Sequence, residues 1–166
     1  VTLFNYIGYR LLADPYDLSQ AVVGLLSLVY LSGIYSSAKI GSLADRLGRR
    51  RVLWATILVM LGGMAMTLLS PLWLVVPGML VFTFGFFGAH SVASGWIGRR
   101  ATKAKGQASS LYLFCYYAGS SIAGTAGGFF WHFAGWNGIG AFILTLLTGA
   151  LLVALRLAKL PPLASA

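Results

Sequence analysis

Long apolar runs separated by short polar stretches make up most of the sequence. A helix that crosses a bilayer needs roughly 20 predominantly apolar residues. Five runs reach or approach that length, whereas the first run is too short and predicts only the end of a longer helix. The predicted spans, within a single transmembrane domain of residues 1–166, are 1–12 (partial), 20–38, 52–69, 74–97, 108–130 and 138–155.

The polar stretches between these runs predict turns and loops. Asp14 and Pro15 indicate a turn after the first run, and Ser19 is a candidate helix N-cap. Residues 131–136 predict a short aromatic loop, and residues 156–166 predict a polar tail. Because the first run lacks the basic flank and cleavage site of a signal peptide, we expect the sequence to be a piece of a larger membrane protein.

One polar stretch, residues 41–51, is far more charged than the others. It holds four arginines together with Asp45, one of only three acidic residues in the chain. Each arginine costs about 2.5–3.5 kcal/mol at the centre of a bilayer, so four of them would cost on the order of 10 kcal/mol. We therefore predict that this stretch is a loop in water.

The composition is that of an integral membrane protein. Hydrophobic residues make up 58% of the chain, charged residues make up 9% and Glu is absent, and the mean hydropathy is +0.83. A soluble domain could not cover its surface with so few charges. The net charge of +9 would suggest nucleic acid in a soluble protein, but the basic residues cluster between spans, so we expect no nucleic-acid partner.

The sequence offers little for catalysis or for binding a cofactor. The lone Cys115 lies inside an apolar run, which excludes a disulfide framework, and no Cys/His cluster has the spacing of a metal site. No pair of a nucleophile and a base is evident. We expect no cofactor, no metal and no enzymatic activity.

The basic residues are divided unequally between the two sides of the predicted spans. Eleven of the twelve Lys and Arg residues follow the second span, follow the fourth span or lie in the tail, and only Arg10 falls on the other side. By the positive-inside rule, both basic loops and the carboxyl terminus are cytoplasmic, whereas Asp14, Trp73 and His132 face out.

The spans also differ in their chemistry. The third and sixth carry almost no polar side chain and suit contact with lipid, whereas the second, fourth and fifth carry Tyr, Ser and His. Polar groups in hydrocarbon are costly unless they meet neighbouring helices or a water-filled cavity. The sequence thus predicts an all-α membrane protein with a polar path inside the bundle.

The charged stretch resembles a known motif. Gly41-x-Leu43-Ala44-Asp45-Arg46-x-Gly48-Arg49-Arg50 is similar to the cytoplasmic motif between the second and third helices of each half of major facilitator superfamily transporters. The resemblance implies half of such a bundle, with five full transmembrane helices plus the end of a sixth, working by alternating access. It also implies a conformational latch formed by Gly41, Leu43, Asp45, Arg46, Gly48, Arg49 and Arg50. The alternative is that these arginines only set topology.

The fifth span indicates which half of the bundle this is. The proline-free segment from Ala123 to Gly128 resembles a degraded form of a Gly-Pro motif that antiporters carry in their fifth helix. The missing proline suggests the carboxyl-terminal half, whose amino-terminal partner half lies outside this sequence. The chain is also similar to bacterial inner-membrane efflux permeases of the drug/proton antiporter type. That resemblance implies proton-coupled efflux of a small organic molecule across the bacterial inner membrane.

His90 is the only ionisable residue placed well inside a predicted span, which makes it a candidate for proton coupling. The alternative is a neutral histidine that is hydrogen-bonded to a neighbouring helix through Ser91 or Ser94, or one that is wet near the cytoplasmic face. Both interpretations remain open from the sequence.

Further polar and small residues suggest a substrate path and a packing surface. An amphipathic ligand could stack on aromatic rings and use their hydroxyl groups, although tyrosines also serve as interhelical hydrogen-bond donors. Candidates for the path are Asn5, Tyr6, Tyr9, Tyr30, Tyr35, Tyr112, Tyr116 and Tyr117. Small residues at four-residue spacing allow close helix packing, or alternatively a hinge. These residues are Gly119, Ala123, Gly124, Gly127 and Gly128.

Two other functions are consistent with the sequence. A single half cannot build a site between two halves, so the chain could instead be a non-transporting membrane scaffold, an assembly subunit or a truncated inactive half-transporter. An intramembrane enzyme is a third and weaker hypothesis.

Overall fold

The computed structural model describes residues 1–101 and 103–159, which contain helices and no strand. The predicted tail at 156–166 belongs partly to the last helix, and its residues 160–166 lie outside the described residues. A 3₁₀ turn, Leu26–Val29, joins the second and third helices. The helices are α1 (Thr2–Leu12), α2 (Gln20–Leu25), α3 (Tyr30–Leu47), α4 (Arg49–Thr67), α5 (Leu72–Arg100) and α6 (Lys105–Ala158).

The charged stretch at residues 41–51 is not a loop, so that prediction was wrong. Helix α3 runs to Leu47, α4 starts at Arg49, and only Gly48 lies between them. Gly48 has φ 92° and ψ 128°, a conformation that glycine adopts without a Cβ penalty. Because the helices extend past the apolar runs, the arginines are carried on helix ends with defined positions.

Helix α6 is a hairpin of two arms. Ala134 and Gly135 leave helical geometry, with Gly135 at φ 52°, and the rings of Phe130 and Phe142 then stack at 4.4 Å. In a straight helix these two residues would be about 18 Å apart. The aromatic loop predicted at residues 131–136 is therefore wrong, because two residues suffice to reverse the chain.

Within the part of the chain that the structure describes, three helical segments are long and apolar enough to cross a membrane, namely 20–47, 72–100 and 105–158. The last would be about 80 Å long if straight, against a hydrocarbon core of roughly 30 Å. The break at Gly135 divides it into two arms. This architecture is that of an all-α membrane protein.

Helices α4 and α5 pack most closely, backbone against backbone. A Cβ atom placed on Gly63 would lie 2.8 Å from the Gly78 carbonyl oxygen, and one on Gly85 would lie 2.8 Å from the Thr56 carbonyl oxygen. Although the third predicted span looked suited to lipid, eight residues of α4 are buried. Uniform apolarity does not distinguish contact with lipid from contact with another helix.

Candidate functional site

The carboxylate of Asp45, near the end of α3, joins three helices. Its Oδ1 atom lies 2.6 Å from Nη2 of Arg49 on α4 and 3.1 Å from Nη2 of Arg99 on α5. Among the described residues, Arg46 makes no ion pair with Asp45. The latch predicted from the sequence motif includes Arg46 and Arg49 but does not include Arg99.

Glycines allow the close contacts beneath this ion-pair cluster. A Cβ atom on Gly41 would lie 3.2 Å from Ser91 Oγ of α5, and one on Gly95 would collide with the guanidinium group of Arg49. The Nε atom of Arg49 is buried and has no hydrogen-bond partner among the described residues. Leu43 of the motif is exposed. In this position the guanidinium group of Arg49 occupies the space that a side chain at residue 95 would fill.

His90 on α5 is hydrogen-bonded to the next helix. Its Nδ1 atom lies 2.9 Å from the Tyr112 hydroxyl group on α6, with the donor set by the histidine tautomer. Ser91 and Ser94 bond elsewhere, to the carbonyl oxygens of Ser37 and Ser91. The hydrogen-bonded partner of His90 is therefore Tyr112 rather than either serine.

His90 also lies on the wall of an aromatic cavity of about 230 Å³. Its ring centre is 4.7 Å from that of Tyr116 and 6.2 Å from that of Phe86. On the opposite wall, Tyr30 stacks on Phe4 at 4.7 Å. The aromatic cavity is lined by Val1, Phe4, Tyr30, Phe82, Phe86, Phe87, His90, Tyr116 and Tyr117. The structure thus brings together Tyr30, Tyr116, Tyr117 and His90, with Tyr112 behind His90.

The remaining candidates for the substrate path lie elsewhere. Asn5 lines a polar groove with Ser120, Ser121 and Thr125, which adjoins the aromatic cavity at Val1 and Tyr117. Tyr6 and Tyr9 flank the indole of Trp131, each at 6.0 Å. Tyr35 is 59% exposed, and its ring centre is 5.9 Å from the Lys39 ammonium group. Tyr35 therefore does not line the aromatic cavity.

The small residues of α6 receive α1. The hydroxyl group of Tyr6 donates to the Gly124 carbonyl oxygen at 2.9 Å, and a Cβ atom on Gly127 would lie 2.6 Å from the Tyr6 ring. Gly128 lies slightly farther away, with its Cβ position 3.3 Å from the Tyr6 hydroxyl group, whereas no described atom comes within 4 Å of that position at Gly119. Ala123 lines a cavity beside Ile143 of the second arm. Among these candidate packing residues, α1 therefore approaches closely at Gly124, Gly127 and Gly128 and not at Gly119.

A second arginine site, at the opposite end of the bundle, was not anticipated. Arg10 of α1 donates to the carbonyl oxygens of Thr67 and Leu69, the latter at 3.0 Å, and to the Tyr16 hydroxyl group at 3.0 Å. Its guanidinium carbon lies 5.3 Å from the ring centres of Tyr16 and Trp136. Trp136 Nε1 also donates to the Thr67 carbonyl oxygen at 2.9 Å. We call these residues the Arg10 cluster. The sequence offered one signal for this cluster, because Arg10 is the single basic residue on the outer side of the predicted spans.

Comparison with known proteins identifies the family. The model of the Major Facilitator Superfamily matches residues 2–166. The chain belongs to the Major Facilitator Superfamily. It is 65% identical over 157 residues to the inner membrane transport protein YnfM of Escherichia coli, covering 95% of this chain and 38% of that protein.

Two further superfamily relatives are similar over the same extent. An uncharacterized MFS-type transporter of Bacillus subtilis, YybF, is 47% identical over 159 residues, which are 96% of this chain and 39% of that protein. An uncharacterized transporter of Buchnera aphidicola is 48% identical over 159 residues, which are 96% of this chain and 38% of that protein. The chain thus spans under two fifths of these relatives. No solved structure gives a significant match.

Proposed function

We propose that this chain is the carboxyl-terminal half of a secondary transporter that moves a small amphipathic organic molecule out of the cell by alternating access. Family membership, and a match that covers under two fifths of each relative, support a half that works with another. The proline-free Ala123–Gly128 segment supports the carboxyl-terminal assignment. In superfamily transporters the site lies between two halves that rock against each other.

The aromatic cavity is the proposed part of the substrate site that this half supplies. Its walls offer aromatic faces together with the hydroxyl groups of Tyr30, Tyr116 and Tyr117. Such surfaces suit a ligand with an apolar body and a polar group, because Tyr presents both. The adjoining groove at Asn5 extends the surface with neutral hydrogen-bonding groups.

The contact between His90 and Tyr112 carries the proposal of proton coupling. Histidine changes charge near physiological pH, and His90 stands at the cavity wall, 2.9 Å from a hydroxyl group on a neighbouring helix. In the neutral tautomer whose Nδ1 accepts from Tyr112, protonation of the imidazole turns Nδ1 into a donor, so the tyrosine oxygen must then accept instead of donate. A proton on His90 would thereby change the contact between α5 and α6 beside the bound substrate.

Asp45, Arg49 and Arg99, which we call the Asp45 cluster, form the proposed latch of this half. The cluster connects α3, α4 and α5. Its pair between Asp45 and Arg99 is exposed, so the attraction between these two charges is weak enough to be exchanged. The unequal distribution of basic residues supports a cytoplasmic position for this end and for the carboxyl terminus.

Transport by the complete transporter in proteoliposomes, across a panel of amphipathic compounds with and without a pH gradient, tests the proposal. We expect transport that depends on the gradient, and His90→Ala should change its pH profile. His132→Ala, at an exposed position away from the aromatic cavity, is the matched control. An unaltered pH profile in His90→Ala would refute coupling at this residue. Absence of transport by folded protein would favour the scaffold hypothesis.

A further inference from the structure

A cleft of about 640 Å³ opens beside the Asp45 cluster. It lies between the end of α3, the start of α4 and the end of α5, and it is lined by six arginines and one aspartate. We call it the basic cleft. Its arginines are Arg46, Arg49, Arg50, Arg51, Arg99 and Arg100. Among the described residues that line the cleft, six guanidinium groups face one carboxylate, which gives the cleft a positive charge.

The start of α4 adds to this positive potential. Gly48 precedes the helix, and no side chain caps its amino terminus. Gly48 and Arg49 line the basic cleft, so the positive end of the helix dipole is at its wall. A helix amino terminus and arginine side chains both favour phosphate, the latter through bidentate hydrogen bonds.

An apolar cleft adjoins the basic one. It has a volume of about 390 Å³ and lies between the end of α5 and the two ends of α6. Its walls include Ile97, Ala108 and Leu157, and it shares Trp96 and Arg100 with the basic cleft. A cationic compartment therefore continues into an apolar one, with an indole ring and a guanidinium group at the junction.

We propose that the two clefts form one binding site for an anionic lipid, with its phosphate on the arginines and part of an acyl chain along Trp96 and Leu157. The apolar cleft distinguishes this ligand from a free phosphate ion, which has no use for an apolar surface. The positive charge disfavours a zwitterionic headgroup, because its ammonium group would be repelled. Basic pockets between transmembrane helices bind anionic lipid headgroups by the same physical means.

Titration of the purified complete transporter with short-chain phosphatidylglycerol, phosphatidylcholine of equal chain length and inorganic phosphate tests this site. We expect phosphatidylglycerol to bind at least tenfold more tightly than either of the others. The double variant Arg46→Gln/Arg100→Gln should abolish that preference. Equal binding of the two lipids would overturn the proposal, and phosphate binding as tight as that of phosphatidylglycerol would reduce the site to one for a free anion.

A matched control separates a built site from general positive charge. Arg156→Gln/Lys159→Gln removes two basic charges from the end of α6 without changing a residue that lines either cleft, and it should retain the preference. An equal loss in both double variants would overturn the proposal. Phosphatidylglycerol with brominated acyl chains should also quench tryptophan fluorescence more strongly in the wild type than in Trp96→Phe. Equal quenching would exclude the apolar cleft as the position of the chain.

Discussion

The two ends of the bundle each contain one charged residue that joins several helices, Arg10 at one end and Asp45 at the other, and the two residues make different kinds of contact. At one end, Arg10 donates to neutral oxygen atoms and lies against two aromatic rings. At the other end, Asp45 pairs with cations on helix ends. The Asp45 and Arg99 side chains are 46% and 61% exposed, whereas the Arg49 side chain is 14% exposed. Several hydrogen bonds from one half-buried guanidinium group fix a geometry, whereas exposed ion pairs contribute about 0–1 kcal/mol. One end therefore locks helices together, and the other end is free to exchange partners.

The largest expected effect comes from breaking the Arg10 cluster. Arg10→Ala removes three hydrogen bonds that a charged group donates, and each such bond contributes roughly 1.5–3 kcal/mol. It also leaves the carbonyl oxygens of Thr67 and Leu69 with fewer donors. We expect the free energy of unfolding of the purified transporter to fall by about 3 kcal/mol, which is less than the sum of three such bonds because the contact with Leu69 is exposed to water. Arg156→Ala, an exposed arginine on α6, is the control and should change it by less than about 0.5 kcal/mol. Equal stability of the two variants would contradict a locking role.

Asp45→Asn is expected to show the reverse pattern, with a large loss of transport and a small loss of stability. The change removes the ion pair with the exposed Arg99 and the ion pair with Arg49, whose side chain is 14% exposed. Because the carboxylate itself is half-exposed, we expect each pair to contribute no more than about 1 kcal/mol to the free energy of unfolding. If the cluster is the latch, transport should fall at least tenfold. Asp17→Asn, an exposed acid at the other end, is the matched control for both measurements. If Asp45→Asn transported with wild-type kinetics, the Asp45 cluster would not be a latch.

The same contrast explains which features were predictable from sequence. The apolar runs predicted the helices, because the free-energy cost of placing a charged residue in lipid applies at every position of a membrane-spanning run. The motif around Asp45 indicated the family. The Arg10 cluster was not predictable, because its main acceptors are backbone carbonyl oxygens, which leave no mark on residue identity. Arg99 and Tyr112 were missed as partners because their contacts depend on how α5 and α6 are positioned in space. The two-residue break at Gly135 depended on backbone geometry in the same way.

A smaller effect is expected from Trp136→Phe, which probes the Arg10 cluster from α6. The substitution removes the hydrogen bond from the indole to the Thr67 carbonyl oxygen and keeps an aromatic ring near Arg10. Since Arg10 also donates to that oxygen, the acceptor keeps a partner, and we expect a loss of about 1 kcal/mol in unfolding free energy. Trp73→Phe, at a position that is 72% exposed, should be neutral. A loss as large as that in Arg10→Ala would mean that the indole, rather than the guanidinium group, dominates the cluster.

The smallest expected effect, and the most direct test of the contrast, is the dependence of the two contacts on salt. A double-mutant cycle with Asp45→Asn and Arg99→Gln should give a coupling energy of about 0.5 kcal/mol at low ionic strength. At 1 M salt the Debye length is about 3 Å, so this exposed coupling should disappear. The corresponding cycle with Arg10→Gln and Tyr16→Phe should keep its coupling energy, because a hydrogen bond to a neutral hydroxyl group at 3.0 Å does not depend on attraction between two charges. If salt weakened both couplings equally, the two ends would be held by the same kind of force, and the division into a locked end and an exchangeable end would be wrong.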